Sequence, residues 1–232
     1  MFTGLVEAKG SLAGRRSSGP GAVLVIRCAD LLKSGPLVLG ESISVDGACL
    51  TVKRITADGF EADVSAETLE RTTLGAHPLG GSLNLERSMP LGARMGGHLV
   101  TGHVDATCTL KARRAVGEAV AMTFAISPKL ARLVAEKGSV AVNGVSLTVN
   151  AVRDGAESEF DVVIVPHTQG VTSLGALSVG SAVNVEVDLL ARYVARLLET
   201  GSGLGAQATT EGEHRGTKDA AWMERLTKGG YV

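Results

Sequence analysis

Aromatic residues are scarce in this 232-residue chain: one Trp, two Tyr and four Phe, 3% in all. That scarcity argues against a surface on which successive nucleic-acid bases stack. An excess of one charge is missing too. Lys and Arg number 23 against 24 Asp and Glu, the net charge is −1, and no long basic run occurs. An electrostatic footprint for nucleic acid is therefore not expected. No apolar stretch reaches the length that crosses a bilayer as a helix. The opening "MFTGLVEAKG" has neither a basic leader nor an apolar run, so an export signal is not expected there. Cysteine is limited to Cys28, Cys49 and Cys108, an odd count without a CxxC pair. Reduced thiols in a cytoplasm fit that pattern.

What the chain does have is 44% hydrophobic residues, enough for packed cores, and a length that suits one large domain or two small ones. It also repeats itself. "VDGACLTV" at 45–52 returns as "VNGVSLTV" at 142–149, with five of eight positions identical and Ser146 in place of Cys49. "FTGLVE" at 2–7 matches "VTGHVD" at 100–105, and "TLGAHPLGGSLNLE" at 73–86 matches "SLGALSVGSAVNVE" at 173–186. Three anchors in the same order with nearly constant spacing indicate a duplicated unit the size of a small domain, far longer than a solenoid repeat.

Within each unit the local signals are mostly β. "ISVDG" and "LTVKRI" alternate apolar and polar residues at period two, and Asp58-Gly59 and Asp154-Gly155 are hairpin signals, the second in a longer loop. Glycine-rich corners between short strands predict a mainly β fold: two tandem, sequence-related small closed β-barrels, over residues 1–97 and 98–187. A helix is expected to interrupt the second unit, with Ser127 as N-cap, Pro128 in the first turn and Gly138 as the stop. A C-terminal α-helix, 188–201, carries Leu189, Leu190, Tyr193, Val194, Leu197 and Leu198 on one apolar face. That face packs either on its own barrels or on another subunit. Residues 202–232 are rich in Gly, Thr and charge and read as a disordered tail without an assigned role.

"MFTGLVE", "ETLERTTLG", "NLERS", "GGHLVTGHVD", "VNGVSLTV" and "VNVEVD" together resemble the riboflavin synthases of the alpha-chain type, over about residues 1–200 and in the family's order. The resemblance implies a transferase that dismutates two molecules of 6,7-dimethyl-8-ribityllumazine by moving a four-carbon unit. The products are riboflavin and 5-amino-6-ribitylamino-2,4-pyrimidinedione. It implies no cofactor, no metal, and a homotrimer whose sites lie between chains, with no nucleic-acid or membrane partner.

Carried over position by position, the resemblance implies one pocket lined by Gly4, Leu5, Val6, Cys49, Leu50, Thr51, Asp63, Val64, Ser65, Ala66, Glu67 and Thr68. The second pocket is lined by Gly102, His103, Val104, Lys137, Ser146, Leu147, Thr148, Val163, Ile164, Val165, Pro166, His167 and Thr168. Cys49, His103, Ser146, Asp188 and Ser42 are the expected catalytic residues. Ala66 departs from the lysine of some relatives, and the side chains at Gln169-Gly170 are short for the family.

The residues support this unevenly. Two copies of one substrate must take opposite roles, nucleophile and electrophile, so differences between the halves matter most: Cys49 against Ser146, Leu5 against His103, Asp46 against Asn143. Histidine moves protons readily near neutral pH, although a strand histidine can also be merely structural. A free cysteine is commonly a small core residue. Asp188 also stands where a helix N-cap belongs. The Thr3-Gly4 and Thr101-Gly102 pairs let backbone approach a ring closely. His98 and His103 are spaced for opposite faces of a strand, which speaks against zinc, and "GVSLT" lacks a nucleophile elbow. The alternative function is a non-catalytic lumazine- or flavin-binding antenna protein on the same duplicated barrel.

Overall fold

The computed structural model describes residues 1–201, so the expected tail lies outside the described residues. Its first barrel is built from β1 (Ala8–Ser18), β2 (Gly21–Arg27), β3 (Ser42–Val45), β4 (Ala48–Ile55), β5 (Gly59–Val64) and β6 (Ser82–Arg87). The second uses β7 (Ala106–Val116), β8 (Ala119–Ile126), β9 (Ser139–Val142), β10 (Val145–Arg153), β11 (Ser158–Ile164) and β12 (Ala182–Val187). Both close antiparallel, in the order β1-β2-β5-β4-β3-β6 and its counterpart β7-β8-β11-β10-β9-β12. Closure removes the free edges that would invite pairing with other chains. Irregularities in register recur at matched places, Leu12/Gly14 with Leu110/Ala112 and Val52/Arg54 with Val149/Ala151.

Alternation along each strand puts one set of side chains inside. In β4, Ala48, Leu50 and Val52 are buried while Thr51 and Lys53 are exposed. Leu24, Ile26, Ile43, Phe60, Leu83 and Leu85 fill the first barrel, and Phe124 stacks on Phe160 at 5.4 Å in the second. Asp46-Gly47 and Asn143-Gly144 are two-residue hairpin turns with positive φ throughout, 45° and 85° in the first and 45° and 73° in the second. Such turns match the twist of the strands they join.

Of the short helices α1 (Ala29–Lys33), α2 (Ala66–Arg71), α3 (Pro128–Ala131) and α4 (Pro166–Val171), α1 and α3 bury Leu31 and Ala131 in the barrel cores, while α2 and α4 bury no residue. Ser127 caps α3 through its hydroxyl, as expected, but the helix stops at Ala131 and does not reach Gly138. Strand pairing wins over helix propensity there. The Lys137 N–H donates to the Val149 carbonyl, and the Val149 N–H to the Gly138 carbonyl, so the segment joins the barrel rim with Lys137 at φ 63°. Helix α5 (Leu189–Gly201) starts one residue after Asp188, whose Oδ1 accepts the Leu190 N–H at 2.9 Å. Leu190, Tyr193, Val194, Leu197 and Leu198 are exposed.

The barrels are stapled by two buried asparagines. Asn84 donates to the Asn143 carbonyl and accepts the Ser173 N–H; Asn184 donates to the Asp46 carbonyl and accepts the Thr73 N–H. Each reaches from its own barrel into the other, and each has a hydrogen-bond partner at both Oδ1 and Nδ2, as burial favours.

Candidate functional site

The segments that precede the two barrels are exchanged between them. Phe2 and Val100 form a two-way bridge, with the Phe2 N–H to the Val100 carbonyl at 2.7 Å and the return bond at 3.1 Å. Glu86 on β6 then accepts the Thr3 N–H at 2.6 Å, the Thr3 hydroxyl at 2.7 Å and the Gly4 N–H at 2.9 Å. Glu186 on β12 repeats this with Thr101 and Gly102 at 2.7, 2.7 and 3.0 Å. Burial holds the Glu86 carboxyl above its ordinary range, with the Thr3 and Gly4 hydrogen bonds pulling the other way.

These clamps carry each Thr-Gly pair onto the opposite barrel. The Gly4 carbonyl accepts the Ser146 N–H at 2.8 Å, and the Gly102 carbonyl accepts the Cys49 N–H at 2.9 Å. A Cβ on Gly4 would lie 2.6 Å from the Ser146 Cβ, and one on Gly102 would lie 2.5 Å from the Cys49 Cβ. Val6 packs on the core of the second barrel, and Val104 on that of the first. The grouping expected from the sequence is thereby corrected. Gly4, Leu5 and Val6 complete the Ser146 side, while Gly102, His103 and Val104 complete the Cys49 side. The cause is the cross-pairing of Phe2 with Val100, which no comparison of equivalent positions reveals.

The Cys49 side continues along the outer face of the first barrel. Thr51 pairs with Ser42 across β3 and β4, and Asp63 forms an ion pair with Lys53 at 2.8 Å. Ser65 caps α2 by accepting the Thr68 N–H, with Ala66 and Glu67 exposed in its first turn. On the Ser146 side, Thr148 pairs with Ser139, Lys137 is exposed, and Val163, Val165, Pro166 and His167 are exposed where β11 runs into α4, with Thr168 half-buried beside them. Leu50, Val64, Leu147 and Ile164 do not line a surface. Their side chains fill the barrels, so only their backbone faces outward. Leu5 is 48% exposed and His103 is exposed, each following the glycine whose carbonyl accepts the opposite repeat's strand N–H.

Three further groups stand at the site that were not among the expected site residues. Glu86 and Glu186 stand at the end of the third repeated anchor, and a matched pair of buried acids was the available signal. The third is His98, only 8% exposed, whose Nδ1 lies 2.7 Å from the Ser146 hydroxyl. Burial lowers its affinity for a second proton, against the opposing pull of Asp188 and Glu186. Of the thiols, burial pushes Cys28 up to about 11 and Cys108 up to about 12, which leaves them inert at neutral pH. Cys49 is half-buried against Phe2, Val100 and Ala141.

Comparison with known proteins gives the same partition. The lumazine binding domain model matches twice, at residues 3–88 and 101–188. A riboflavin synthase of Photobacterium phosphoreum is 43% identical over 198 residues, covering 85% of this chain and 89% of that protein. One from Mycobacterium bovis is 44% identical over 206 residues, with coverage of 86% and 99%. One from Bacillus subtilis is 35% identical over 209 residues, with coverage of 90% and 95%. Among solved structures, LumP complexed with 6,7-dimethyl-8-(1'-D-ribityl) lumazine has a TM-score of 0.71 at 24% identity, over 81% of this chain and 99% of that one, a likeness of fold.

Proposed function

The chain belongs to the lumazine-binding family, among relatives that are riboflavin synthases, and we propose that it performs their reaction through two unequal faces. It is a transferase: one molecule of 6,7-dimethyl-8-ribityllumazine passes a four-carbon unit to a second, so that the acceptor becomes riboflavin and the donor 5-amino-6-ribitylamino-2,4-pyrimidinedione. One lumazine lies on the Cys49 side with Thr51, Ser42, Asp63–Thr68 and the Gly102–Val104 segment. The other lies on the Ser146 side with Thr148, Lys137, Val163–Thr168 and the Gly4–Val6 segment. The single observation that carries the reading is the matched pair of crossings, Gly4 on Ser146 and Gly102 on Cys49, identical in backbone and different in side chain.

Dismutation requires that difference. Equivalent pockets would bind two copies of a compound without telling nucleophile from electrophile. Here one ring meets a thiol and His103, the other a hydroxyl and Leu5. Holding two rings in register supplies about 7–11 kcal/mol of the barrier, against roughly 3–5 kcal/mol for one positioned acid or base. Orientation is thus the larger part, and the glycine crossings are what fix it.

The faces meet between chains in a homotrimer, the Cys49 side of one against the Ser146 side of the next. Support comes from their openness and from the exposed leucines of α5, an apolar stripe suited to assembly. The cell compartment is the cytoplasm, in keeping with three free cysteines. Asp188 serves as helix cap and as a neighbour of the Ser146 side. The test is direct: mix the chain with the lumazine and follow absorbance and chromatography. Riboflavin and the pyrimidinedione in equal amounts support the enzyme; a stable fluorescent complex without turnover rejects it in favour of a binding role.

A further inference from the structure

We infer that His98 is a positioning residue that turns Ser146 into a proton acceptor, so that the lumazine on the Ser146 face loses the C7-methyl proton and the one on the Cys49 face accepts the attack. The inference rests on the reaction given above and assigns its two roles to faces. Its first ground is geometry. His98 Nδ1 is 2.7 Å from the Ser146 Oγ, in a chain segment fixed by the His98 N–H to the Thr3 carbonyl at 3.2 Å. A Cβ on Gly97 would press on that same carbonyl and lie 3.1 Å from the Ser146 Cβ, so the backbone beside the histidine is held against the serine.

The second ground is the state of the ring. Nε2 is buried and makes no hydrogen bond to a described protein group. Ser146 is thus the ring's hydrogen-bond partner among the described protein groups, and its hydroxyl can donate or accept, so neither tautomer is imposed, whereas a histidine with both nitrogens engaged has its proton fixed. Either arrangement, Oγ–H to Nδ1 or Nδ1–H to Oγ, keeps the same short bond. Burial, the larger effect, disfavours the imidazolium, while the charged groups bearing on the ring, Asp188 and Glu186, are both acidic and offset part of that cost when a proton arrives.

The third ground is asymmetry. The Cys49 backbone has the same glycine contact as Ser146, but its side chain packs on Phe2, Val100 and Ala141, and no described histidine hydrogen-bonds to it. Among the described residues, a histidine is thus hydrogen-bonded to the strand side chain on the Ser146 face alone, while His103 on the Cys49 face stands exposed with no hydrogen bond to Cys49. The step balances: the C7-methyl C–H bond breaks, its proton passes to Oγ as the Ser146 proton passes to Nδ1, and the electron pair stays in the lumazine ring as the nucleophile. The proton is returned when the product leaves.

His98→Asn tests this, because its amide can keep a hydrogen bond to Ser146 but cannot titrate. With the full chain, turnover of the lumazine is followed across pH, together with deuterium uptake at the C7 methyl by NMR. The expected result is kcat lowered about 100-fold with KM nearly unchanged, slowed deuterium uptake, and a low-pH limb that is present in the unmodified chain and absent from the variant; an unmodified chain without such a limb overturns the inference. Ser146→Ala removes the same limb, and it decides the question should His98→Asn not fold. Wild-type kcat with the limb intact in His98→Asn, or a limb that persists in Ser146→Ala, overturns the inference. No riboflavin from the unmodified chain overturns the parent reading, and this one with it.

Discussion

Gly4 and Gly102 occupy positions where no other residue fits, at φ 75° and 82° and with a strand residue of the other barrel directly in the path of any Cβ. Gly4→Ala is predicted to displace the Thr3–Val6 segment from Ser146, and Gly102→Ala to displace its counterpart from Cys49. Each costs stability by about 1–3 kcal/mol, by strain at positive φ alone, and lowers turnover by more than Thr51→Ala or Thr148→Ala does. Urea titration and steady-state rates on the four variants check this. Asp46 gives a pH prediction. Burial raises its carboxyl from 3.8 to about 7, opposed by one backbone hydrogen bond from Asn84. The folded state thus holds a proton that the unfolded chain releases, so stability present below about pH 4 is lost as pH rises through 7. Asp46→Asn copies Asn143, whose Oδ1 accepts the Asn184 N–H at 2.7 Å in the equivalent place. It should flatten the fall of stability over that window by up to about 1.4 kcal/mol per pH unit, read from chemical denaturation at several pH values. An unchanged slope would place the proton elsewhere.

At the scale of elements, the N-terminal segment matters more than its length suggests. Phe2 is wholly buried and pairs with Val100, and everything from Thr3 to Val6 is positioned by that bridge and by Glu86. Phe2→Ala should destabilise by about 3–5 kcal/mol and abolish turnover, since the crossing loses its anchor. A melting curve and an activity assay test both halves of that statement. The barrels themselves were legible because alternation at period two and the double appearance of "GxxLTV" leave little freedom. The exchange of segments was not, since a repeat tells which residues are equivalent and is silent on which copy they touch. Cys49 and Ser146 stood out by their difference, but Glu86, Asn84 and their partners did not. A buried polar residue looks like any outward-facing one in an alternating pattern. The stretch after Ser127 misled for another reason: "KLARLVAEK" has helix-forming residues, and the bonds of Lys137 and Gly138 to Val149 override them.

The molecule as a whole is a duplication that has kept its frame and changed its chemistry. Asn84 and Asn184 hold the barrels together by equivalent bonds, while Cys49, Leu5 and Asp46 have diverged from Ser146, His103 and Asn143. On the function proposed above, one chain offers two docking faces for one heterocycle, and assembly brings unlike faces together. Leu190→Glu with Leu197→Glu on α5 is predicted to yield monomers in sedimentation and to remove activity without unfolding the barrels. The most direct measurement mixes two blocked chains. Leu5→Trp fills the Ser146 face and His103→Trp fills the Cys49 face, and each variant alone should be inactive. Dissociated and reassembled together, they should regain about one quarter of wild-type activity, because random assembly pairs an open Cys49 face with an open Ser146 face at that fraction of sites. Mixed chains that stay inactive after reassembly would contradict a site shared between subunits.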